Sequence, residues 1–256
     1  MIFYFTATGN SLQAARMLGD EQLVSIPQAM RGGMRFRAES IGIVCPVYGS
    51  EPPDMVRKFL HEAAFDTDYF FIVMTYGRSP GAASDIMRGI AAECGQKLDY
   101  FRTVRMADNF LPGFDMDKER QIDTKFEQHI QKIADDIRAR KKRIERVKLR
   151  DRLIYRGYVA FTKARPDQCW KNITYTVDDR CIGCGLCEKV CPAGCIAAEN
   201  GRAVHRREGC QVCLACIQLC PHRAVHMSVD EVNPNARYIN KNVTVRDIIA
   251  ANNTKK

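Results

Sequence analysis

The stretch of sequence that decides the fold is Cys181-Ile-Gly-Cys184-Gly-Leu-Cys187-Glu-Lys-Val-Cys191-Pro192. The chain repeats it at a constant offset of 29 residues, as Cys210-Gln-Val-Cys213-Leu-Ala-Cys216-Ile-Gln-Leu-Cys220-Pro221. Each copy reads C-x2-C-x2-C-x3-C-P, and the similarity continues past the proline, where Ile196 aligns with Val225 and Cys195 with Ala224. This internal repeat predicts one small unit made of two related halves.

The spacing of the eight cysteines is typical of bacterial ferredoxins that hold two [4Fe–4S] clusters. Three closely spaced thiolates wrap one cluster, and the fourth, on a short helix that points away, reaches the neighbouring cluster. The proline after the fourth cysteine ends that helix because it cannot continue the hydrogen-bond ladder. We therefore predict two sets of metal ligands: Cys181, Cys184, Cys187 and Cys220 for one cluster, and Cys210, Cys213, Cys216 and Cys191 for the other.

Zinc sites and disulfide bonds also occur in cysteine-rich chains, but neither suits this spacing. A zinc ion takes two cysteine pairs, which leaves the third cysteine of each copy without a role. Eight cysteines packed this tightly cannot all meet disulfide geometry with one another. Cys195 is a separate case, because its repeat partner is Ala224. We predict a small buried apolar position there rather than a ligand.

Length, composition and charge limit the class of protein. The chain has 256 residues, enough for one or two domains, and 46% of them are hydrophobic, as in globular proteins. Twelve cysteines and no signal peptide predict a reducing, cytoplasmic compartment. No apolar run reaches the ~18 residues that a membrane span needs. The formal charge of +9 becomes about +5 when eight ligating thiolates (−8) and two oxidised cluster cores (+4) are counted, and this basic balance still favours an acidic partner protein. No zinc-finger or RNP-like pattern indicates nucleic acid.

The first 140 residues alternate strands with helices at a spacing that predicts βαβ units and a parallel sheet. The predicted strands are 2–5, 22–26, 40–44, 69–74 and 100–104, and the last predicted helix is 118–143. Ligands of such sheets bind at the carboxyl ends of the strands. We expect an α/β doubly wound parallel sheet followed by a small α+β domain that contains the cysteine repeat.

The first predicted strand leads directly into Thr6-Ala7-Thr8-Gly9-Asn10-Ser11, and a helical pattern follows. A hydroxyl-rich turn at a helix N-terminus presents backbone N–H groups and hydroxyls to an anion. The turn lacks the lysine of a Walker loop and the glycines of a dinucleotide fingerprint, so it suits a terminal monophosphate. The alternative is an ordinary helix N-cap at Thr8 or Asn10.

Two further strand ends carry tyrosine–glycine loops, Pro46-Val47-Tyr48-Gly49 and Thr75-Tyr76-Gly77. Because carboxyl ends of parallel strands meet at one edge, these loops should flank whatever lies beside the phosphate. A planar ring is the ligand that fits best between or beside the tyrosine side chains of these two loops.

The turn at 6–11 is similar to the T-x-T-G-N-S/T loop of flavodoxins, and that resemblance covers about residues 1–140. With residues 175–230 included, the chain resembles the flavodoxin–ferredoxin fusion proteins of anaerobic bacteria. The resemblance implies bound FMN. It assigns the phosphate to Thr6, Ala7, Thr8, Gly9, Asn10 and Ser11, and the ring to Pro46, Val47, Tyr48, Gly49, Thr75, Tyr76 and Gly77. The chain departs from ordinary flavodoxins because neither ring loop carries Trp and because it is basic.

These patterns predict four segments: a flavodoxin-like FMN domain over 1–145, a basic linker over 146–172, a two-cluster ferredoxin domain over 173–230 and a tail over 231–256. The tail either packs back on the first domain or frays. Residues 106–114 form either a lid over the flavin or a loop packed on the next helix. The basic stretch 138–152 is either a docking surface for an acidic electron donor or a solvated helix end.

The predicted cofactors indicate electron transfer. Iron–sulfur clusters carry single electrons, and a flavin holds one or two, so the pair suits a protein that passes electrons between two [4Fe–4S] clusters, FMN and a redox partner. One alternative is an FMN-dependent reductase of a small conjugated or quinone-like substrate, with Phe110, Leu111 and Phe114 over the ring. Another is a flavin-free docking module fused to a ferredoxin.

Overall fold

The computed structural model describes residues 1–19, 22–166 and 169–253, without the side chain of Trp170. The described chain forms two compact units. The first contains Met1–Phe5, Asn10–Ala107 and Asp123–Phe161, and the second contains Thr6–Gly9, Asp108–Ile122 and the chain from Thr162 onward. The turn at 6–9 therefore packs with the cysteine-rich part of the chain, although it directly follows the first strand.

Before residue 150 the described chain forms eight strands: β1 Ile2–Tyr4, β2 Leu23–Ser25, β3 Arg35–Arg37, β4 Ser40–Pro46, β5 Ala64–Asp66, β6 Tyr69–Tyr76, β7 Leu98–Arg105 and β8 Arg143–Ile144. Six of them make a parallel sheet in the order β2-β1-β4-β6-β7-β8. Without the edge strand β8, this is the 2-1-3-4-5 order of flavodoxin-like sheets, whose switch point lies between the first and third strands. The predicted α/β fold class is confirmed.

The helices over the same part of the chain are α1 Asn10–Leu18, α2 Ile26–Ala29, α3 Asp54–Glu62, α4 Ala83–Glu93, α5 Met116–Glu119, α6 Phe126–Arg138 and α7 Leu149–Ala164. The prediction of one helix over 118–143 was wrong. The Asp123 side chain accepts the N–H of Lys125, which adopts a left-handed conformation (φ 50°), and this turn separates α5 from α6. After α6 the chain supplies β8 at the sheet edge.

The short parallel pair of β3 and β5 was not predicted. Its two phenylalanines, Phe36 and Phe65, pack with Phe3 of β1 and Phe59 of α3, at ring-centroid distances of 4.5–6.0 Å. Each of these strands has its phenylalanine next to a charged residue, Arg35 and Arg37 in β3 and Asp66 in β5, so the sequence offers no apolar run that would indicate a buried strand.

The elements of the cysteine-rich unit are β9 Tyr175–Val177, α8 Leu186–Lys189, β10 Ile196–Glu199, β11 Arg202–His205, α9 Ala215–Gln218, β12 Val225–Met227 and α10 Val245–Asn252. Strands β9 and β12 form one antiparallel pair, and β10 and β11 form another. Each copy of the cysteine repeat thus contains one short helix, α8 or α9, followed by one strand.

The tail does not fray over its described residues. Thr244 caps α10 in a capping box with Asp247, and Ile248, Ala251 and Asn252 are buried. Helix α10 therefore belongs to the cysteine-rich unit.

Candidate cofactor sites

The first predicted set of cysteines lines one cavity. Cys181 and Cys184 come from the loop that leads into α8, Cys187 lies in α8, and Cys220 follows the end of α9. The space that these residues line, which opens to solvent, spans about 390 Å³. The structure thus brings the fourth cysteine of the second copy to the first three of the first copy, as the predicted ligand grouping requires.

The second predicted set also clusters. Burial raises the pKa of the Cys213 and Cys216 thiols, and the Cys191 and Cys210 thiolates raise it further. In the first set, burial raises the pKa of Cys187 to about 11, and its three predicted partners add to the shift. Four thiolates this close repel one another, so each set fits a cationic core that would lie between its members.

The backbone around both sets follows the repeat. Gly183, Gly185 and Gly194 have positive φ, and so do the residues 29 positions later, Val212, Leu214 and Arg223. A positive φ costs a residue with a side chain about 1–2 kcal/mol, so the second copy keeps this loop shape against its own residue preferences. The two cysteine loops therefore have the same backbone conformation, as expected if both bind the same kind of ligand.

Backbone N–H groups point at the cysteine sulfurs. The N–H of Cys195 lies 3.2 Å from Cys191 Sγ, and the repeat-related N–H of Ala224 lies 3.4 Å from Cys220 Sγ. The N–H groups of Ala203 and Val212 lie 3.4 Å from the sulfurs of Cys181 and Cys210. Such bonds stabilise thiolates and tune cluster potentials.

Cys195 is buried, as expected, but its environment is not apolar. Its thiol donates to the Glu208 carbonyl at 3.2 Å, and its side chain lowers the pKa of the neighbouring thiols of Cys191 and Cys210. His205 also bonds to Cys210 and lowers its pKa. The alignment of Cys195 with Ala224 gave no signal for these contacts.

The hydroxyl of Tyr175 tests whether an inorganic cluster fits the second set. It is buried, has no nitrogen or oxygen partner among the described residues, and its pKa is raised by burial, then by the thiolates of Cys210, Cys216 and Cys213, and by a hydrogen bond to Cys210. A buried donor beside thiolate sulfur fits a group that adds acceptor atoms there, such as cluster sulfides.

A mononuclear metal site fits less well. Among the described residues, no three His, Cys, Asp or Glu side chains converge on a single ion. A zinc ion binds all of its ligands at about 2 Å, so they must converge on one point. In a cubane cluster each of the four iron atoms binds one thiolate, so the four sulfurs stay apart.

The predicted phosphate turn is closed and buried. Thr6, Ala7, Thr8 and Ser11 are each less than 5% exposed. Ser11 Oγ lies 2.9 Å from Thr75 Oγ1, which joins the start of α1 to the end of β6.

The unused hydrogen-bonding groups of this turn are donors. Thr6 Oγ1 accepts the N–H of Gly9 at 3.2 Å, and Thr8 Oγ1 accepts the side-chain amide of Asn109 at 2.6 Å, so both hydroxyls keep a hydrogen to donate. The backbone N–H groups of Ala7 and Thr8 have no acceptor among the described residues. Because buried N–H groups without an acceptor are rare, this turn fits an acceptor group such as a phosphate.

The C-terminal segment binds the carbonyl oxygens of the turn. The N–H of Asn240 donates to the Thr8 carbonyl at 2.8 Å. Asn252, which is fully buried, donates from Nδ2 to the carbonyls of Thr6 at 2.9 Å and Val190 at 3.1 Å. These contacts leave the N–H groups of the turn for another acceptor.

Gly9 shows how closely this segment packs. Its φ is +104°, and a Cβ there would lie 2.8 Å from Val243 Cβ and 2.9 Å from Asn240 Cβ. Only glycine fits at this position. The sequence pattern of the tail gave no indication of its contact with the turn.

The two predicted ring loops meet at the carboxyl ends of β4 and β6. The N–H of Val47 donates to the Thr75 carbonyl at 2.8 Å, and Arg105 Nε donates to the Gly77 carbonyl at 3.1 Å. Tyr48 and Tyr76 are half-buried, and burial raises the pKa of Tyr76. Of the remaining predicted ring residues, Pro46 is half-buried and Gly49 is exposed.

The predicted lid segment packs inside the cysteine-rich unit. Leu111 is 1% exposed and its carbonyl accepts the N–H of Val232 at 3.0 Å. Gln218 of α9 donates to the Asn109 carbonyl at 2.9 Å. Phe110 and Phe114 are half-buried.

The basic stretch 138–152 is less free than its composition indicates. Nine of its residues are Lys or Arg, and six of them pair with acids: Arg138, Arg140, Lys141, Lys142, Arg150 and Arg152. Neutralised cations contribute little to a long-range field, which weakens this stretch as a docking surface for an acidic donor.

Comparison with known proteins supports the iron–sulfur segment. A sequence model of the 4Fe–4S binding domain matches residues 174–197. An uncharacterized ferredoxin from Methanocaldococcus jannaschii is 38% identical over 68 residues, which cover 25% of this chain and 86% of that protein. One subunit of an ion-translocating oxidoreductase complex from Methanosarcina acetivorans is 39% identical over 57 residues, 22% of each chain. The chain thus spans about a fifth of the length of that relative.

Similarity to solved structures is too weak to support the fold assignment. An NAD(P)H:quinone oxidoreductase from Methanothermobacter marburgensis aligns with 53% of this chain and 93% of its own, at 9% identity and a TM-score of 0.35. A likeness this weak carries no argument, so the fold assignment rests on the strand order. In the described part of the chain, no helix has the length and apolar character that crossing a membrane requires.

Proposed function

The chain belongs to the 4Fe–4S ferredoxin family through its cysteine-rich segment, and on that premise we propose that it is an electron-transfer protein that passes electrons between two [4Fe–4S] clusters and FMN. The observation that carries the proposal is the cavity in which Cys220 of the second copy joins Cys181, Cys184 and Cys187 of the first. A crossed fourth ligand is the arrangement of two-cluster ferredoxins.

In this proposal each cysteine set would hold one cluster. Cys181, Cys184, Cys187 and Cys220 would bind the first, and Cys191, Cys210, Cys213 and Cys216 the second. The four N–H groups directed at sulfur would stabilise the added negative charge when a cluster accepts an electron.

The FMN part of the proposal rests on the donor-only turn. The N–H groups of Ala7 and Thr8 and the hydroxyls of Thr6 and Thr8 would hold the phosphate, with Ser11 beside Thr75 at the start of α1. The loops at 46–49 and 75–77 would contact the ring. A bound flavin would supply exchange between one-electron and two-electron chemistry.

The proposal is tested by cofactor analysis of protein purified without oxygen. We expect about eight iron atoms, eight sulfides and one FMN per chain, from two cubane clusters and one flavin site. A colourless, iron-free but folded protein would exclude the proposal.

Two single variants test the ligand grouping. Cys184→Ala and Cys213→Ala should each lose about half of the iron, because each removes one corner of a different cluster. Cys94→Ala is the matched control, since Cys94 lies outside both sets and should leave the iron content unchanged. Unchanged iron in Cys184→Ala, or complete loss in both variants, contradicts two independent clusters.

The redox partner is part of the proposal. An acidic electron donor would suit the net charge of about +5 that remains when eight thiolates and two oxidised cluster cores are added to the formal +9, and the rate at which the donor reduces the protein should fall with rising ionic strength. The alternative of a reductase with a substrate pocket at 106–114 gains no support from the buried Leu111 or from the half-buried Asn109, which is already hydrogen-bonded.

A further inference from the structure

Helix α7 exposes an apolar stripe along its whole length. None of its 16 residues is buried, and Leu149, Leu153, Ile154 and Phe161 are 69%, 57%, 64% and 47% exposed. At about 100° per residue these side chains share one side of the helix with small residues and with Arg150, whose side chain is 75% exposed. A helix of this length is marginal in water by itself, and four large apolar side chains exposed on one side of it mark an interaction surface. Another surface should therefore cover it.

The opposite side of α7 is held by polar contacts within its own unit. The Tyr155 hydroxyl donates to Glu51 Oε1 at 2.6 Å, and Arg152 pairs with Asp85. Tyr158 and Val159 are half-buried on the same side. These contacts fix the rotation of the helix, so the apolar stripe faces outward.

The charged residues beside the stripe are cations. Arg156 and Lys163 are exposed along one border, and neither has an ion pair among the described residues. Arg146 and Lys148, which lead into the helix, are also exposed and without an ion pair in that part of the chain. The acid of α7, Asp151, is half-buried and pairs with Arg150.

We propose that α7 lies in the headgroup region of an anionic membrane surface. A convex apolar stripe needs no groove in its partner, and unpaired Lys and Arg at its border can extend their charge to lipid phosphates. A second copy of the chain would place like charges against each other. An acidic protein is a less suitable partner, because protein interfaces depend on side chains anchored in pockets and a convex stripe offers no pocket.

Vesicle sedimentation of the full chain with its cofactors tests the proposal. We expect binding to vesicles of one part phosphatidylglycerol and three parts phosphatidylcholine, and at least tenfold weaker binding to pure phosphatidylcholine. The double variant Leu153→Glu, Ile154→Glu should bind anionic vesicles at least tenfold more weakly. Arg156→Gln with Lys163→Gln should weaken binding to the anionic vesicles and leave binding to phosphatidylcholine unchanged.

Val232→Glu is the matched control, because Val232 is 55% exposed but is not part of α7. It should bind anionic vesicles like the parent, and iron content and circular dichroism should show that every variant is folded. The proposal is overturned if the parent stays in the supernatant at low ionic strength, or if the Leu153, Ile154 double variant binds as the parent does. A dimer in sedimentation velocity that this double variant dissociates would assign the stripe to self-association and also overturn it.

Discussion

Cys195 and Ala224 occupy the same position in the two halves of the repeat and differ by one sulfur atom. Each donates its backbone N–H to the sulfur of the fourth cysteine, but Cys195 adds a thiol beside Cys191 and Cys210, and this thiol lowers the pKa of both. Hydrogen bonds to cluster sulfurs favour the reduced, more negative state. The proposed second cluster should therefore have the higher potential of the two.

The change Cys195→Ala should lower the potential of that one cluster by a few tens of millivolts, since one bond of about 1 kcal/mol corresponds to roughly 40 mV for one electron. Potentiometry followed by EPR measures the shift. Cys195→Ser keeps a donor and should retain most of the potential, whereas Ala224→Cys should raise the other cluster. Equal shifts of both clusters in Cys195→Ala would contradict a local effect.

At the scale of elements, a variant in the turn at 6–9 can distinguish recognition of the FMN phosphate from recognition of the flavin ring. The variant Thr8→Val keeps the side-chain shape but removes the hydroxyl that would donate to phosphate and that accepts from Asn109. FMN affinity should fall by about tenfold to a hundredfold, the effect of one charge-assisted hydrogen bond. Riboflavin, which has no phosphate, should bind parent and variant equally in a fluorescence titration.

Thr67→Val is the control for that experiment, because the Thr67 hydroxyl bonds only to the Glu39 and Tyr69 carbonyls outside the turn. It should bind FMN like the parent. Equal losses of FMN and riboflavin affinity in Thr8→Val would assign Thr8 to the stability of the turn and contradict a phosphate contact.

The same elements show what sequence can and cannot predict. Five strands of the central sheet and the cysteine repeat were predictable, because their patterns are local and their spacing has a direct structural meaning. The contact between Asn252 and Thr6 joins residues 246 positions apart, and nothing in either local pattern indicates it. The β3–β5 pair likewise depends on Phe36 and Phe65 finding Phe3 and Phe59, which is a tertiary effect.

At the scale of the whole molecule, the proposed function requires that all three cofactors reside on one chain in fixed proportion. A stoichiometric reductive titration should then take up about four electrons per chain, one for each cluster and two for the flavin. Absorbance near the flavin maximum and EPR of the reduced clusters follow the two kinds of site separately. Cys213→Ala should take up about three electrons, because it removes one cluster and leaves the flavin site intact. If the protein takes up only about two electrons and the flavin absorbance does not bleach, the FMN part of the proposal is wrong. The protein would then be a ferredoxin fused to a flavin-free domain.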